Sequence, residues 1–259
     1  FLFIWREMTY QFPIVNLRVL KDGNLRIGTL MTFILGFGLY GSTFIIPLYT
    51  QSILGWTATD AGLILVPSSL TTAILMPFIG KMIQKGIPQS YMVAAGFFIF
   101  FLFSYWMHTQ MTPDTGVEHF FWPLILRGVG LGLLFVPITT LALSTLTGKS
   151  IGEGAAMTGM MRQLGGSFGI AIITTFIARF NQEHRVNLIS HLDPTKINVQ
   201  ERITALQRGF MSKGFSYDVA LDKAHQVLDY TVTKQSTVLS YMDVFLYLGI
   251  LFLVCIPIT

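Results

Sequence analysis

The chain is poor in charged residues. Asp, Glu, Lys and Arg make up 12% of its 259 residues, and residues 27–59 contain none of them. Soluble domains contain about 25% charged residues, whereas a helix of about 20 apolar residues crosses the hydrocarbon core of a bilayer. Further long apolar runs follow at 61–80, 86–107, 120–148, 154–178 and 235–259. The sequence therefore predicts a polytopic membrane protein with about six helices.

Cysteine and basic runs are also scarce. Cys255 is the single cysteine, so the chain forms no internal disulfide. The net charge is +4, but most basic residues lie between the apolar runs, which favours a role in membrane orientation over nucleic-acid binding. Spans of a β-barrel alternate polar and apolar residues over about ten positions, and these runs do not alternate. The predicted fold class is therefore all-α transmembrane.

Sequence signatures of enzymes are weak. The chain has no H-E-x-x-H, C-x-x-C or P-loop motif. Two strings, at 148–152 and 165–169, match G-x-S-x-G, but neither follows a predicted strand, as that motif requires. His184 and His191 form a pair in a polar segment, where histidines are far more often solvated than metal-binding. We therefore expect no enzymatic activity, no cofactor and no metal site.

Both ends of the sequence are apolar, at Phe1–Trp5 and at residues 256–259. We expect a fragment of a longer protein. The predicted organisation is the end of a preceding transmembrane helix (1–5), a cytoplasmic connector (6–26), five transmembrane helices (27–180), an extracytoplasmic helical loop (181–236) and a last transmembrane helix (237–259).

Basic residues alternate between successive short loops. The connector and two later turns carry Arg6, Arg18, Lys21, Arg26, Lys81, Lys85 and Lys149. The turns at 51–58 and 110–119 carry no Lys or Arg. Because Lys and Arg are enriched in short cytoplasmic loops, we expect the connector and the basic turns in the cytoplasm and residues 181–236 outside.

The polar segment 181–236 contains helix signals of its own. Asp193-Pro194 is typical of a helix start, Asn198 with Glu201 matches a capping box, and a second amphipathic period follows from Val219 to Thr231. These patterns predict a helical hairpin at the outer membrane surface. It serves either as a docking or lid element or as a folded linker.

Glycines cluster within two of the predicted spans. They are Gly128, Gly130 and Gly132, followed by Pro137, and then Gly165, Gly166 and Gly169. Small residues let helix backbones approach each other in lipid, so close packing is the first interpretation. The second is that these positions let helices bend or slide during gating.

Four ionisable residues in or beside the spans are candidates for a proton or substrate pathway. Arg127 and Arg162 each lie about 10–12 Å from the nearer end of a predicted span, where they either face the protein interior or extend to the headgroups. Asp60 opens a span, which suits capping as well as proton transfer. Asp243 lies in the first turns of the last span.

Aromatic residues repeat at helical spacing along the first complete span. They are Phe33, Phe37, Tyr40, Phe44 and Tyr49. Such a stripe is usual for packing or lipid contact. It also suits the lining of a pore for flat apolar substrates, which makes Phe37 and Tyr40 candidate pathway residues.

Four groups of residues form recognisable strings. They are Trp5-Arg-Glu7 with 13–17, residues 53–62 with Pro67, Arg127-Gly-Val-Gly-Leu-Gly132 with Pro137, and Arg162-Gln-Leu-Gly-Gly166 with Gly169. In combination they resemble the EmrB/QacA group of drug:proton antiporters, the fourteen-helix branch of the major facilitators. The resemblance covers essentially the whole chain and matches the second half of such a transporter. Residues 77–85, with Gly80, Lys81 and Lys85, resemble the second copy of the cytoplasmic gating motif. Gln84 stands at its usually acidic position, which puts the motif's salt bridge in question.

The resemblance implies a six-helix bundle that works by alternating access with an N-terminal half of the same transporter. It implies proton-driven export of hydrophobic or amphipathic drugs across the bacterial inner membrane, and partners that include a periplasmic adaptor and an outer-membrane channel. Two alternatives stay open. One is a dedicated exporter of an endogenous metabolite, siderophore or lipid, and the other is a non-transporting receptor or scaffold half.

Overall fold

The computed structural model describes residues 20–192 and 196–258, and these residues form helices and turns without a strand. The prediction of an all-α transmembrane fold is confirmed. The helices are α1 (Gly23–Ser52), α2 (Ala58–Leu63), α3 (Val66–Gln84), α4 (Gln89–Gln110), α5 (Val117–Leu143), α6 (Lys149–His191), α7 (Ile197–Met211) and α8 (Tyr217–Cys255), followed by a 3₁₀ turn at Ile256–Ile258. The segments 1–5 and 6–19 of the predicted organisation lie outside the described residues.

Within the described residues, six helical segments are long and apolar enough to cross a membrane. They are Gly23–Ser52, Ala58–Gln84, Gln89–Gln110, Val117–Leu143, Ser150–His191 and Tyr217–Cys255. The second combines α2 and α3, which are separated at Ile64 and Leu65. Pro67 lies at the start of α3, where its missing N–H is tolerated because the first helical residues have no partner within the helix.

Side-chain caps fix two of the helix starts. Asp22 caps α1 by accepting a hydrogen bond of 2.9 Å from the backbone N–H of Leu25. That bond, together with one from Thr145, holds the pKa of the Asp22 carboxyl below its ordinary value. Thr57 caps α2 and also donates to Asp60 Oδ2 over 2.7 Å. Asn198 is not a cap, contrary to the predicted capping box, because α7 begins after Lys196. The predicted start at Asp193 lies outside the described residues.

The spans form one bundle around an aromatic core. Helix α1 packs along α6 and α5, α4 packs against α5 and α8, and α3 packs against α5. The rings of Phe100 and Phe252 stack at 4.2 Å between α4 and α8, and Phe97, Phe103 and Phe245 are fully buried around them. These contacts hold the α4–α5–α8 side of the bundle together.

Two spans are much less buried than the others. In the most apolar stretch of each span, 17% of the residues of Ala58–Gln84 and 22% of those of Ser150–His191 are buried. The corresponding share in the other four spans is 44–56%. Large apolar side chains such as Leu70, Phe78 and Phe168 are exposed on them. The bundle therefore presents two apolar helix faces that no other described helix covers.

Two helices extend beyond the length of a bilayer. The 43 residues of α6 measure about 64 Å at 1.5 Å per residue, roughly twice a hydrocarbon core of about 30 Å. Its last turns, α7 and the first half of α8 form a three-helix projection, which we call the tower (180–191, 197–211 and 217–236). The tower lies at the bundle end that also holds the turns 53–57 and 111–116. We call this end acidic, and the opposite end, with Lys85, basic.

Candidate functional site

Arg127 lies at the centre of the bundle and is 3% exposed. Its Nε donates to Ser42 Oγ over 2.9 Å and its Nη1 donates to Ser68 Oγ over 3.0 Å. Its Nη2 donates to the Leu39 carbonyl over 3.3 Å and to Thr43 Oγ1. The guanidinium thus joins α5 to α1 and α3, and it does not extend to the headgroups.

The hydroxyls around Arg127 are oriented by the backbone. Ser42 Oγ donates to the Gly38 carbonyl over 2.5 Å, and Thr43 Oγ1 donates to the Leu39 carbonyl over 2.6 Å. Because their protons are engaged there, their lone pairs face the guanidinium. Arg127 takes part in none of the ion pairs within the described residues. A buried cation is therefore held by neutral acceptors alone.

A cavity of about 280 Å³ opens beside Arg127 between α1, α3 and α5. Its walls are mainly apolar and also contain the hydroxyls of Thr43, Ser68, Ser69 and Thr72, of which Thr43 and Ser68 bond the guanidinium. The remaining lining residues are Leu35, Leu39, Ala73, Met76, Leu131 and Phe135. A ligand with an apolar body and a group that accepts hydrogen bonds would complement these walls.

Arg162 approaches the same wall from α6. Its Cζ lies 4.6 Å from the ring centroid of Phe135, which lines the Arg127 cavity. This is the geometry of a cation–π contact. Arg162 is not itself in the lining, but Phe135 connects it to the cavity that holds Arg127. The positive field there would attract an anion or an electron-rich group.

The glycines of α6 lie where α1 crosses it. A Cβ added at Gly165 would overlap the carbonyl oxygen of Phe33, and one added at Gly166 would overlap the ring of Tyr40. Gly169 lies against Phe37 in the same way. On α5, Gly128 faces the carbonyl of Ser68, while Gly130 and Gly132 face α4 and α3, and the helix continues through Pro137 without a break.

The aromatic stripe does not line the Arg127 cavity. Tyr40 packs on Gly166 at the α1–α6 crossing. Phe37 borders a separate apolar cavity of about 270 Å³ between α6 and α8, together with Phe176 and Tyr247. At the far end of the stripe, Tyr49 donates its hydroxyl to the Thr112 carbonyl over 2.6 Å. These aromatic residues join helices to one another.

The two acidic candidates lie away from Arg127, at or near the acidic end. Asp60 is exposed at the start of α2 and lines a cavity of about 540 Å³. Asp243 contacts His184 on α6, with 2.6 Å between Oδ2 and Nε2. His184 is therefore not a solvated loop residue, because α6 continues to His191. Lys81 and Lys85 of the predicted gating motif are exposed at the basic end, and a Cβ at Gly80 would contact nothing within 4 Å.

The partners of Arg127 are the functional residues that sequence reasoning missed. Ser42, Thr43 and Ser68 are hydroxyl residues within spans, and such residues usually bond their own helix backbone. Their positions relative to Arg127 depend on which helices are neighbours. The sequence carries no signal for that. Within the described residues no group of three His, Cys, Asp or Glu side chains could hold a metal ion.

Comparison with known proteins assigns this bundle to a family. The model of the Major Facilitator Superfamily matches residues 6–170. The chain is 31% identical to the fatty acid resistance protein FarB of Neisseria gonorrhoeae, over 99% of this chain and 48% of FarB. It is 27% identical to the multidrug export protein EmrB of Escherichia coli, over 98% of this chain and 48% of that protein. It spans about half the length of these relatives.

Proposed function

Because the chain belongs to the Major Facilitator Superfamily, whose members are multi-pass membrane transporters and not enzymes, we propose that it forms the C-terminal half of a proton-coupled exporter of hydrophobic and amphipathic compounds. The Arg127 cavity carries this proposal. It combines a buried cation, oriented hydroxyls and apolar walls inside a membrane-spanning bundle. A charged side chain within a membrane span is costly, and such residues usually mark substrate or ion pathways.

The N-terminal half of the same transporter is the proposed partner of the two least buried spans. Ala58–Gln84 and Ser150–His191 expose continuous apolar faces, and α3 also forms one wall of the Arg127 cavity. Substrate sites of secondary transporters lie near the bilayer midplane between repeats. The cavity would then face the N-terminal half and open alternately to the two sides of the membrane.

A dedicated exporter of a lipid-like metabolite is the second candidate. Arg127 bonds only neutral acceptors, and Arg162 lies over Phe135 on the same wall. Two cations without a neighbouring carboxylate suit a substrate with an acidic headgroup and an apolar tail. FarB, a relative at 31% identity, is described as a fatty acid resistance protein.

The tower is the proposed docking element for other proteins. It extends beyond the length of a bilayer at the acidic end, and the loop charges predict that this end lies outside the cytoplasm. Val186, Ile197 and Tyr230 are exposed on it, as expected for a contact surface. A periplasmic adaptor with an outer-membrane channel behind it is the partner that the resemblance implies.

Transport by the full-length protein in liposomes tests the proposal. A pH gradient is imposed, and the movement of a neutral dye, a cationic dye and a fatty acid is measured with and without an uncoupler. Gradient-dependent movement of several compounds supports multidrug export, and movement of the fatty acid alone supports the dedicated exporter. If no compound moves, a receptor or scaffold is favoured. Residues 1–259 alone should not transport, since half of the pathway is missing.

A further inference from the structure

The apolar cavity between α6 and α8 has no part in the function proposed above. It has a volume of about 270 Å³, and its walls include Ile172 and Phe176 of α6 and Tyr247 and Leu251 of α8. Ile172, Tyr247 and Leu251 are exposed, so the cavity opens to the outside of the bundle. Among the described residues, no charged side chain lines it. A hydrocarbon chain matches the chemistry of these walls.

Aromatic rings hold the rim of this cavity on the side of the acidic end. The ring of Tyr247 stacks on that of Phe180, with 5.3 Å between centroids, and lies 6.1 Å from that of Phe176. Phe180 lies one turn beyond Phe176 toward the acidic end. These contacts join α6 to α8 at the rim, and the cavity is therefore preformed.

Arg179 follows the cavity on the same face of α6. It lies seven residues after Ile172, which is nearly two turns and about 10 Å along the axis. Its Cα–Cβ bond tilts toward the start of the helix and thus toward the cavity. The apolar run of α6 ends at residue 178, so Arg179 lies at the level of the lipid headgroups. Neither Arg179 nor Glu183, one turn further out, takes part in an ion pair within the described residues.

The α8 side of the cavity faces the bilayer. This helix is not one of the two spans that the N-terminal half is proposed to cover, and Ile250, Leu253 and Val254 are exposed on it. Acyl chains of the surrounding lipid therefore reach the opening directly. An empty apolar space lacks dispersion contacts on its inner surface, and an inserted chain restores them.

We propose that one phospholipid of the leaflet at the acidic end binds here, with an acyl chain in the cavity and its phosphate hydrogen-bonded to Arg179. A guanidinium donates two parallel charge-assisted hydrogen bonds to a phosphate. The lipid would fill the space between α6 and α8 directly below the tower. The site is separate from the Arg127 cavity and does not depend on the compound that the transporter exports.

Native mass spectrometry of the full-length transporter tests the site. The protein is stripped of lipid in detergent and titrated with dipalmitoylphosphatidylglycerol, and the fraction that carries one lipid is measured. One lipid should bind at concentrations at which further lipids do not. Arg179→Gln removes the guanidinium and Leu251→Trp fills the cavity. Each should raise the concentration for half-saturation about tenfold. Leu251→Phe replaces the Trp variant if that variant does not fold.

Two substitutions serve as matched controls and should leave binding unchanged. Leu253→Trp adds the same ring at a position of α8 that is 38% exposed, as against 37% for Leu251, but does not line the cavity. Arg208→Gln removes an exposed arginine from α7. Equal affinity in all folded variants would overturn the proposal, because the lipids would then bind without a specific site. Palmitate binding as tightly as the phospholipid would also overturn it, since any chain with an acidic end would then suffice.

Discussion

Ser68 Oγ accepts a hydrogen bond of 3.0 Å from Nη1 of Arg127, and this bond ties the least buried span to the centre of the bundle. Thr72 on the same helix donates to the Gly128 carbonyl over 2.9 Å. Because α3 packs mainly against α5, these two bonds are among its few polar contacts with the bundle. A ligand that competes for the guanidinium would loosen α3.

Arg127→Met should impair transport without lowering the stability of the bundle. Methionine fills similar space, and Ser42 and Thr43 keep their own backbone acceptors. Ser68 Oγ loses its donor, but it lines the cavity, where water can replace the guanidinium. Removal of the desolvated charge offsets the lost hydrogen bonds. We expect an unchanged or higher melting temperature in detergent and transport reduced about tenfold or more. Near-normal transport would limit Arg127 to a structural role.

Arg162→Ala should impair transport while expression and insertion stay near normal. Arg162→Lys should restore only part of the activity, because lysine lacks the planar guanidinium that stacks on Phe135. Phe135→Leu should cost little more in the Arg162→Ala background, since the shared contact is already lost. A double-mutant cycle on transport rates measures this coupling, with about 0.5–2 kcal/mol expected. Additive effects on the transport rate would show that Arg162 and Phe135 act independently.

Gly165→Ala should destabilise the bundle, and Gly159→Ala should not. A Cβ at Gly165 would overlap the Phe33 carbonyl, whereas one at Gly159 would meet no atom within 4 Å. Overpacking costs about 1–3 kcal/mol, while alanine in place of an unhindered helical glycine is favourable by up to about 1 kcal/mol. Melting of the two variants in the same detergent checks this. Equal melting temperatures would show that α1 and α6 separate without strain.

His184→Gln and Asp243→Asn should both loosen α6 from α8 near the acidic end. Their side chains contact each other over 2.6 Å, and Arg185 pairs with Asp229 further along the tower, also over 2.6 Å. Hydrogen exchange of residues 180–191 should become faster in either single variant. The double variant should exchange no faster than the more affected single one, because one contact is lost in all three. Faster exchange in the double variant would point to independent roles.

Ser212→Cys should react with an impermeant maleimide added outside intact cells. Ser212 follows the last residue of α7 and is exposed on the tower, and the charge of the short loops predicts that this segment lies outside. A cysteine at exposed Gln84, at the basic end, is the matched control and should react only after lysis. The opposite pattern would reverse the predicted orientation of all six spans.

The spans and the two arginines could be predicted because both follow from local composition. An uncharged run longer than a bilayer core dictates a membrane helix, and Arg127 or Arg162 inside such a run is conspicuous without any structure. The hydrogen-bond partners of Arg127 could not be predicted in this way. Ser42 and Ser68 lie 85 and 59 positions away, and only the packing of α1 and α3 around α5 brings them together.

The length of α6 also could not be predicted from the sequence. Its apolar run ends near residue 178, so the polar turns that follow looked like a loop, although they remain helical to His191. Their stability comes from packing against α8, including the bond between Asn181 and Thr237, and hydropathy does not register such contacts. The predicted capping box at Asn198 was wrong because α7 already begins at Ile197.

An unbroken α6 also acts as a lever. Gly165 marks the point where α1 crosses it, and His191 lies about 39 Å further along the axis. If α6 tilts as a rigid rod by about ten degrees at that crossing, its far end moves by about 7 Å. A small rearrangement beside Arg162, three residues before the crossing, would thus become a large displacement at the tip of the tower. The tip of the tower would thus report a change at the centre of the bundle.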